Sequence, residues 1–345
     1  MSEAETPTPR RRKKQHSIHD RVVTPQSRRD FLRHTAVTAG LAVGAVGIGL
    51  AYRSDQPIAR APKILKVLPD FRVDDAPQYP KLAIIRGQDV PRMTRAAVAQ
   101  LGGIDRFIKK GDRVVIKPNV GWDRQPEQAA NTRPELVAAM VMLCREAGAA
   151  SVTVTDVSLN DPRRCFFRSG IQAAAQEAGA DVWLPGNSDF IDTDMGGKLL
   201  TEWPVAAAFH EADKLINLPI VKNHSLCHAT LAMKNHYGMI GGRRNQLHQD
   251  IHQSIVDLAA AAKPTLTVMD ATRVLMRNGP TGGSLADVSI ENTLIAGTDE
   301  VAMDSFALGF LKLESAQLNY LAMGEARGLG VVDWKSLNPR EEQVG

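Results

Sequence analysis

The sequence predicts an α/β protein: a mostly parallel sheet with helices on both faces and a site at the carboxyl ends of the strands. Short β-branched runs alternate with helical patterns at the spacing of strand–helix–strand units. An apolar content of 43% over 345 residues is enough to bury one large core or two modest ones. Polar residues gather just beyond the expected strand ends, where an open parallel sheet leaves backbone free and helix N-termini point inward.

The elements follow in order. KLAIIRG (81–87) reads as a strand before a helix near 91–101, DRVVIKPN (112–119) before one near 133–147, and SVTVTD (151–156) before one near 163–178. Residues 185–203, rich in Gly, Asp and Asn, read as an excursion from the sheet. Then come DKLINLP (213–219), a helix near 250–262, TLTVMD (265–270), NTLIAG (292–297), and helices near 299–312 and 315–327. Thr132 with Glu135 has capping-box spacing ahead of Leu136, Ala139, Met140 and Leu143, and Gly148 stops that helix. Asp250 with Gln253 opens the helix that carries Ile255 and Leu258. The domain plan is an N-terminal segment 1–61, a linker or extended arm 62–80 with four prolines, and one α/β domain from 81 to 345.

The net charge of +4 suggests an anionic partner only until it is divided. Residues 1–61 carry eleven Lys/Arg against five Asp/Glu, leaving 31 against 33 in the rest, so nucleic acid is not an expected partner. Three cysteines without a C-x-x-C pair exclude a cysteine-ligated iron–sulfur cluster and a disulfide framework, and leave room for one disulfide at most.

SRRDFLRHTAVTAGLAVGAVGIGLAY, from Ser27, joins paired arginines to Phe-Leu and a glycine-rich apolar stretch. It resembles a twin-arginine export signal on Arg28, Arg29, Phe31 and Leu32. The resemblance implies the twin-arginine translocon as partner, a periplasmic or other extracytoplasmic location, and a protein exported folded, often around a cofactor. Ala59–Ala61 has cleavage-site spacing, but Pro62 follows, so an uncleaved membrane tether stays open.

Four strands deliver chemistry to one rim: Lys117 and Asn119, then Asp156, then Asn217 with Lys222, Asn223 and His224 just beyond, then Asp270. The Lys-Asn-His triplet at 222–224 recurs at 234–236, and six of nine histidines fall between 210 and 252. Small and apolar residues separate the triplets, so Lys234, Asn235 and His236 emerge from a segment expected to be buried, and a buried lysine needs a carboxylate, carbonyls or a ligand anion. Gly238, Gly241 and Gly242 would let backbone approach a ligand, beside Arg243, Arg244 and His248. NGPTGG (278–283) lacks the P-loop lysine and Rossmann spacing and reads as a surface turn or a lid. Asp156 and Asp270 also fit a plain role as turn caps.

VVIKPNVGW, TRPELVAAMVMLCREAGAASVTVTD, ADKLINLPIVKNHSLCHATLAMKNHYGMIGG and TDEVAMDSFALGFLKL resemble the domain of unknown function family 362 over roughly residues 80–333. That resemblance points to Lys117, Asn119, Asp156, Lys222, His224, Lys234, Asn235, Gly238, His248 and Asp270 as site residues. ADKLINLPIVKNH is also similar to lactate racemase-type proteins, which implies an isomerase with a nickel-bearing nucleotide cofactor.

The expected function is an enzyme acting on a small anionic or carbonyl substrate. Lys222 and Lys234 would hold the anion, His224 or His236 would move a proton, and Asp156 or Asp270 would orient the imidazole. A second expectation is a bound metal or cofactor, with His224, His236, His248 and Asp270 as ligands and His228 and Asp156 as further candidates. A third is an anion-binding protein without chemistry, which needs the lysines but not the histidines.

Overall fold

The computed structural model describes residues 27–51, 64–74 and 76–345. The expected cleavage motif at 59–61 lies outside the described residues. Two units are present, 1–63 and 64–345. In the first, α1 (Arg28–Ala51) carries Arg28, Arg29, Phe31 and Leu32, all exposed. Ser27 Oγ accepts the Asp30 N–H at 3.2 Å at the helix start, as an N-cap serine does. Among the described residues no helix is long and apolar enough to cross a membrane.

The second unit is organised by a ten-stranded sheet. In chain order the strands are β1 (Lys66–Val67), β2 (Leu82–Arg86), β3 (Arg113–Pro118), β4 (Ser151–Val154), β5 (Asp181–Val182), β6 (Phe190–Asp194), β7 (Glu202–Ala206), β8 (Lys214–Leu218), β9 (Ile220–His224), β10 (His228–Thr230), β11 (Leu266–Leu275), β12 (Val288–Gly297) and β13 (Arg340–Gln343). The main path is β13-β2-β12-β11-β8-β3-β4-β5. Its pairings are parallel except on the two sides of β12. The fold class is therefore α/β with a mostly parallel sheet.

Helices cover both faces. On one side lie α2 (Val90–Gln100), α3 (Ile104–Phe107), α4 (Pro134–Glu146), α5 (Pro162–Arg168) and α6 (Ile171–Glu177). After α7 (Ala208–Glu211) and α8 (Ala232–Asn235), the other side carries α9 (Ile251–Ala262), α10 (Glu300–Leu311) and α11 (Asn319–Ala326). Strands sandwiched this way read as continuous apolar runs; all of Val114 to Pro118 in β3 is buried. All three cysteines are free and buried.

Several expected boundaries move for physical reasons. The helix expected over 163–178 breaks at Ser169-Gly170, where Gly170 takes φ +74° and Ser169 Oγ accepts the Ile171 N–H. Thr132 does not cap α4: its hydroxyl donates to the Leu218 carbonyl at 2.6 Å and accepts the Asn119 N–H at 2.9 Å, clamping the ends of β8 and β3 together. The 185–203 excursion contains most of a hairpin, β6–β7, which pairs with β1 as a separate three-stranded sheet. Residues expected as linker or arm are an arm held on the domain, with Phe71 buried in its core.

One junction positions the site. β8 and β9 form one line interrupted at Pro219, both beside β11. Along β8 the outer neighbour is β3, but along β9 it is β10. The sheet thus opens beyond Pro118, and the carboxyl ends of β3 and β4 face β9, β10 and α8 across a gap.

Candidate functional site

A cavity of about 60 Å³ fills that gap. Lys117, Asn119, Asp156, Lys222, His224, Lys234, Asn235, Gly238 and Arg244 all line it, with Trp122, Leu159, Thr230, Tyr237 and Pro280. By the volume one water centre needs, the space takes a few waters or one small anion.

The three lysines are all buried, but their partners differ. Lys117, at the end of β3, has its Nζ 2.8 Å from Asp156 Oδ1 and donates to the Pro118 carbonyl at 3.0 Å. Asp156 Oδ2 accepts the Val120 N–H at 2.7 Å, so both of its oxygens are engaged. Gly238 makes this pair fit: a Cβ there would lie 1.6 Å from Asp156 Oδ1 and 2.6 Å from Lys117 Nζ. Its carbonyl accepts the Val157 N–H at 2.8 Å, tying the loop after β4 to the segment after α8.

Lys222, on β9, has no carboxylate. Its Nζ donates to Asn119 Oδ1 at 2.9 Å and to the Ala130 carbonyl at 2.6 Å. Burial, reinforced by the nearby charges of Lys234 and Lys117, lowers its pKa from 10.5 to about 7. Lys234, on α8, lies with its ammonium 4.4 Å from the centre of the Tyr237 ring, a cation–π contact. Burial depresses its pKa too. Asp304 holds this short turn in place by accepting the Ala232 and Met233 N–H groups at 2.7 and 3.2 Å. Arg244 donates to the carbonyls of Val157, Ser158 and Tyr237 at 2.8, 3.0 and 3.2 Å, which fixes a fourth cation at the cavity wall.

His224 Nδ1 accepts the Leu226 N–H at 3.1 Å, so the neutral ring carries its proton on Nε2. Burial and then the charges of Lys234 and Lys222 lower its pKa to about 2. Near neutrality it is a hydrogen-bond donor and not an acid. His248 stacks on it at 6.4 Å and is tilted against Tyr237 at 5.9 Å, just outside the cavity lining.

Behind the cavity runs a chain of amides. Asn119 Nδ2 donates to Asn235 Oδ1 (2.9 Å), Asn235 Nδ2 to Asn217 Oδ1 (2.7 Å), and Asn217 Nδ2 to Glu300 Oε1 (2.7 Å). Thr267 Oγ1 also donates to Glu300 Oε1 at 2.7 Å, and His236 Nε2 meets Glu300 Oε2 at 2.7 Å. Lys222 is the amine end of this chain and Glu300 the carboxylate end.

The remaining expected residues fall elsewhere. His236 is fully buried against Glu300 and does not reach the cavity. Asp270 does not end a strand, because β11 continues to Leu275; its carboxylate accepts the Arg133 N–H at 2.9 Å and the Thr272 N–H and hydroxyl at 2.9 and 2.7 Å. It caps the start of α4 from within the sheet. Gly241 and Gly242 pack on Phe190 and Pro204 of the β6–β7 hairpin, and Arg243 is exposed. His228 is exposed at the β9–β10 turn. Among the described residues no three of His, Cys, Asp or Glu gather as a metal-ligand set. The rings of His224 and His248 lie 6.4 Å apart between centres and near parallel, and the charges of Lys234 and Lys222 act on His224.

Tyr237, Thr230, Trp122 and Glu300 are contributors that residue types alone did not single out, and Asn217, expected at the rim, sits in the amide chain behind it. The 278–283 segment roofs the cavity with Pro280. Its Gly279 N–H donates to Asn223 Oδ1 at 3.1 Å, and a Cβ at Gly279 would lie 1.8 Å from the Asn223 carbonyl oxygen. Arg124 and Gln128 hold Thr281 and Gly283 by their carbonyls.

The profile of the Domain of unknown function (DUF362) family matches residues 114–309, more than half of the chain, and spans the cavity. The chain belongs to that family. A curated relative of this DUF362 chain, a thylakoid-associated protein of Synechocystis sp., is 29% identical over 244 residues, 68% of this chain and 74% of that one. Two solved structures are similar in part. The lactate racemase apoprotein from Thermoanaerobacterium thermosaccharolyticum matches with TM-score 0.38 and 14% identity over 70% of this chain. A protein from Thermotoga maritima matches with TM-score 0.34 and 11% identity over 70%. The DUF362 chain spans 58% and 60% of those two chains, less than two thirds of either.

Proposed function

We propose that this DUF362 protein is an enzyme acting on a small anionic substrate, with Lys234 and Arg244 binding the anion, His224 donating a hydrogen bond, and Lys222 as the reactive base. One observation carries the reading: four basic side chains, Lys117, Lys222, Lys234 and Arg244, converge on a cavity lined by one carboxylate, Asp156, which faces Lys117. Buried charge without a counter-charge is costly, so a ligand anion completes the site. A lysine held near neutral pH at such a cavity is suited to proton transfer or nucleophilic attack. A nucleotide-bearing cofactor does not fit the present space, since pockets for ligands of that size start at about 300 Å³.

The test is calorimetric titration of the full chain with phosphate, acetate and pyruvate, and with choline as a cation control. At least one anion should bind, and choline should not. If no anion gives heat or raises the unfolding temperature, the reading fails.

We further propose that residues 27–51 direct export of the folded protein by the twin-arginine route, on the strength of Arg28 and Arg29 ahead of Phe31, Leu32 and the apolar run. Fusion of this segment to a reporter that is active only outside the cytoplasm checks it. Replacing both arginines by lysine should abolish the signal, and undiminished export would end the idea.

A further inference from the structure

We propose that Lys222 is a Schiff-base-forming nucleophile and that its substrate class is small 2-oxo acids, whose carboxylate is held by Lys234. The inference rests on the anion-site reading above and adds a covalent step to it.

The geometry separates the three lysines by what they can do. Lys117 is paired with Asp156, and its nitrogen is committed as a cation. Lys234 lies over an aromatic face, a contact that offsets part of the burial that depresses its pKa, and a substrate carboxylate beside it would favour the charged form further. Lys222 alone has two neutral acceptors, Asn119 Oδ1 and the Ala130 carbonyl, and no carboxylate. A neutral amine has two N–H bonds and one lone pair. Those two acceptors take both N–H bonds, which leaves the lone pair as the one free valence at a nitrogen that lines the cavity. The surrounding cations and burial supply the uncharged form near neutral pH.

A cavity of about 60 Å³ admits a compact ligand, and the cation next to Lys222 recognises a carboxylate adjacent to the reacting carbon. In the step, the Lys222 lone pair forms a bond to the carbonyl carbon while the carbonyl π pair moves to oxygen. The two amine protons pass to that oxygen, the carbon–oxygen bond breaks, and water leaves a carbon–nitrogen double bond. Nothing is oxidised or reduced. The neutral imine so formed takes up one proton from solvent, and that N–H points to Asn119 or Ala130, while His224 Nε2–H is placed as a donor to oxygen on the reacting group. The imine then acts as an electron sink for proton abstraction or bond cleavage next to it.

The experiment is reductive trapping on the full chain with pyruvate and borohydride, followed by peptide mapping. Hydride reduction of the imine fixes an adduct that adds the mass of pyruvate less one oxygen atom. The adduct should sit on Lys222 and form faster as pH rises through about 7, where the ammonium loses its proton. An adduct confined to other lysines overturns the inference. So does the absence of an adduct when pyruvate still raises the unfolding temperature, an outcome that leaves the anion site standing. Neither adduct nor stabilisation by pyruvate, acetate or phosphate overturns both.

Discussion

A Lys234→Met variant will fold at least as stably as the parent and lose its response to anions. Lys234 is buried with an aromatic ring and no carboxylate for company, so its charge is a burden on the empty protein. Methionine keeps most of the side-chain volume and removes that charge. The empty variant should gain on the order of 1 kcal/mol in urea unfolding, in keeping with the general trade between stability and a functional site. Bound anion stabilises the parent by about 2.7 kcal/mol at a hundred times its Kd. The variant should bind at least about tenfold more weakly, ~1.4 kcal/mol, since hydrogen bonds to charged groups carry roughly 1.5–3 kcal/mol. Removing the Lys234 charge should also move the pH dependence of trapping at Lys222 upward. Unchanged anion affinity would remove Lys234 from the binding site.

Gly238→Ala tests the ion pair beneath the cavity and should give the largest loss. Residues His236–Met239 form a helical turn in which alanine ordinarily gains up to about 1 kcal/mol over glycine. Here the added methyl would occupy the place of Asp156 Oδ1. Either Asp156 leaves Lys117, or the turn leaves the loop that it holds through the Val157 N–H. Stranding a buried lysine costs about 3–5 kcal/mol. Urea unfolding should therefore show a loss of that order, opposite in sign to helix propensity, with anion binding lost as well. Parent-like stability would mean that the packing around Gly238 yields without breaking the pair.

The sheet and its helices were legible because strands buried on both faces advertise themselves as unbroken apolar runs, and Asp250 and Gly148 mark helix ends in the expected way. The β6–β7 hairpin was not, because short polar strands such as Phe190–Asp194 look like loop. β11 was read too short because Asp270 resembled a strand end, although its carboxylate is absorbed by Thr272 and Arg133. Lys117, Asn119, Asp156, Lys222, His224, Lys234 and Asn235 do meet at one cavity, as polar residues beyond strand ends suggested. What separated His236 from His224 was depth: one faces Glu300 behind α8, the other lines the cavity, and the repeated triplet carries no mark of that difference. Glu300 was invisible for the same reason, since its role exists only through three-dimensional contacts with Asn217, Thr267 and His236.

The amide chain behind the cavity also governs what the site refuses. Every amide in it gives its nitrogen forward and its oxygen backward, so reversing one would set donor against donor or acceptor against acceptor. Asn119 therefore spends its oxygen on Lys222 and its nitrogen on Asn235, while Asp156 spends both oxygens on Lys117 and Val120. Each of these oxygens already faces a donor of the protein, so a guest would have to share it. An amine or other cation entering the cavity meets basic side chains first, whereas an oxyanion meets donors on several sides. Discrimination at this site thus begins with the exclusion of the wrong guest, written into the fixed direction of three asparagines.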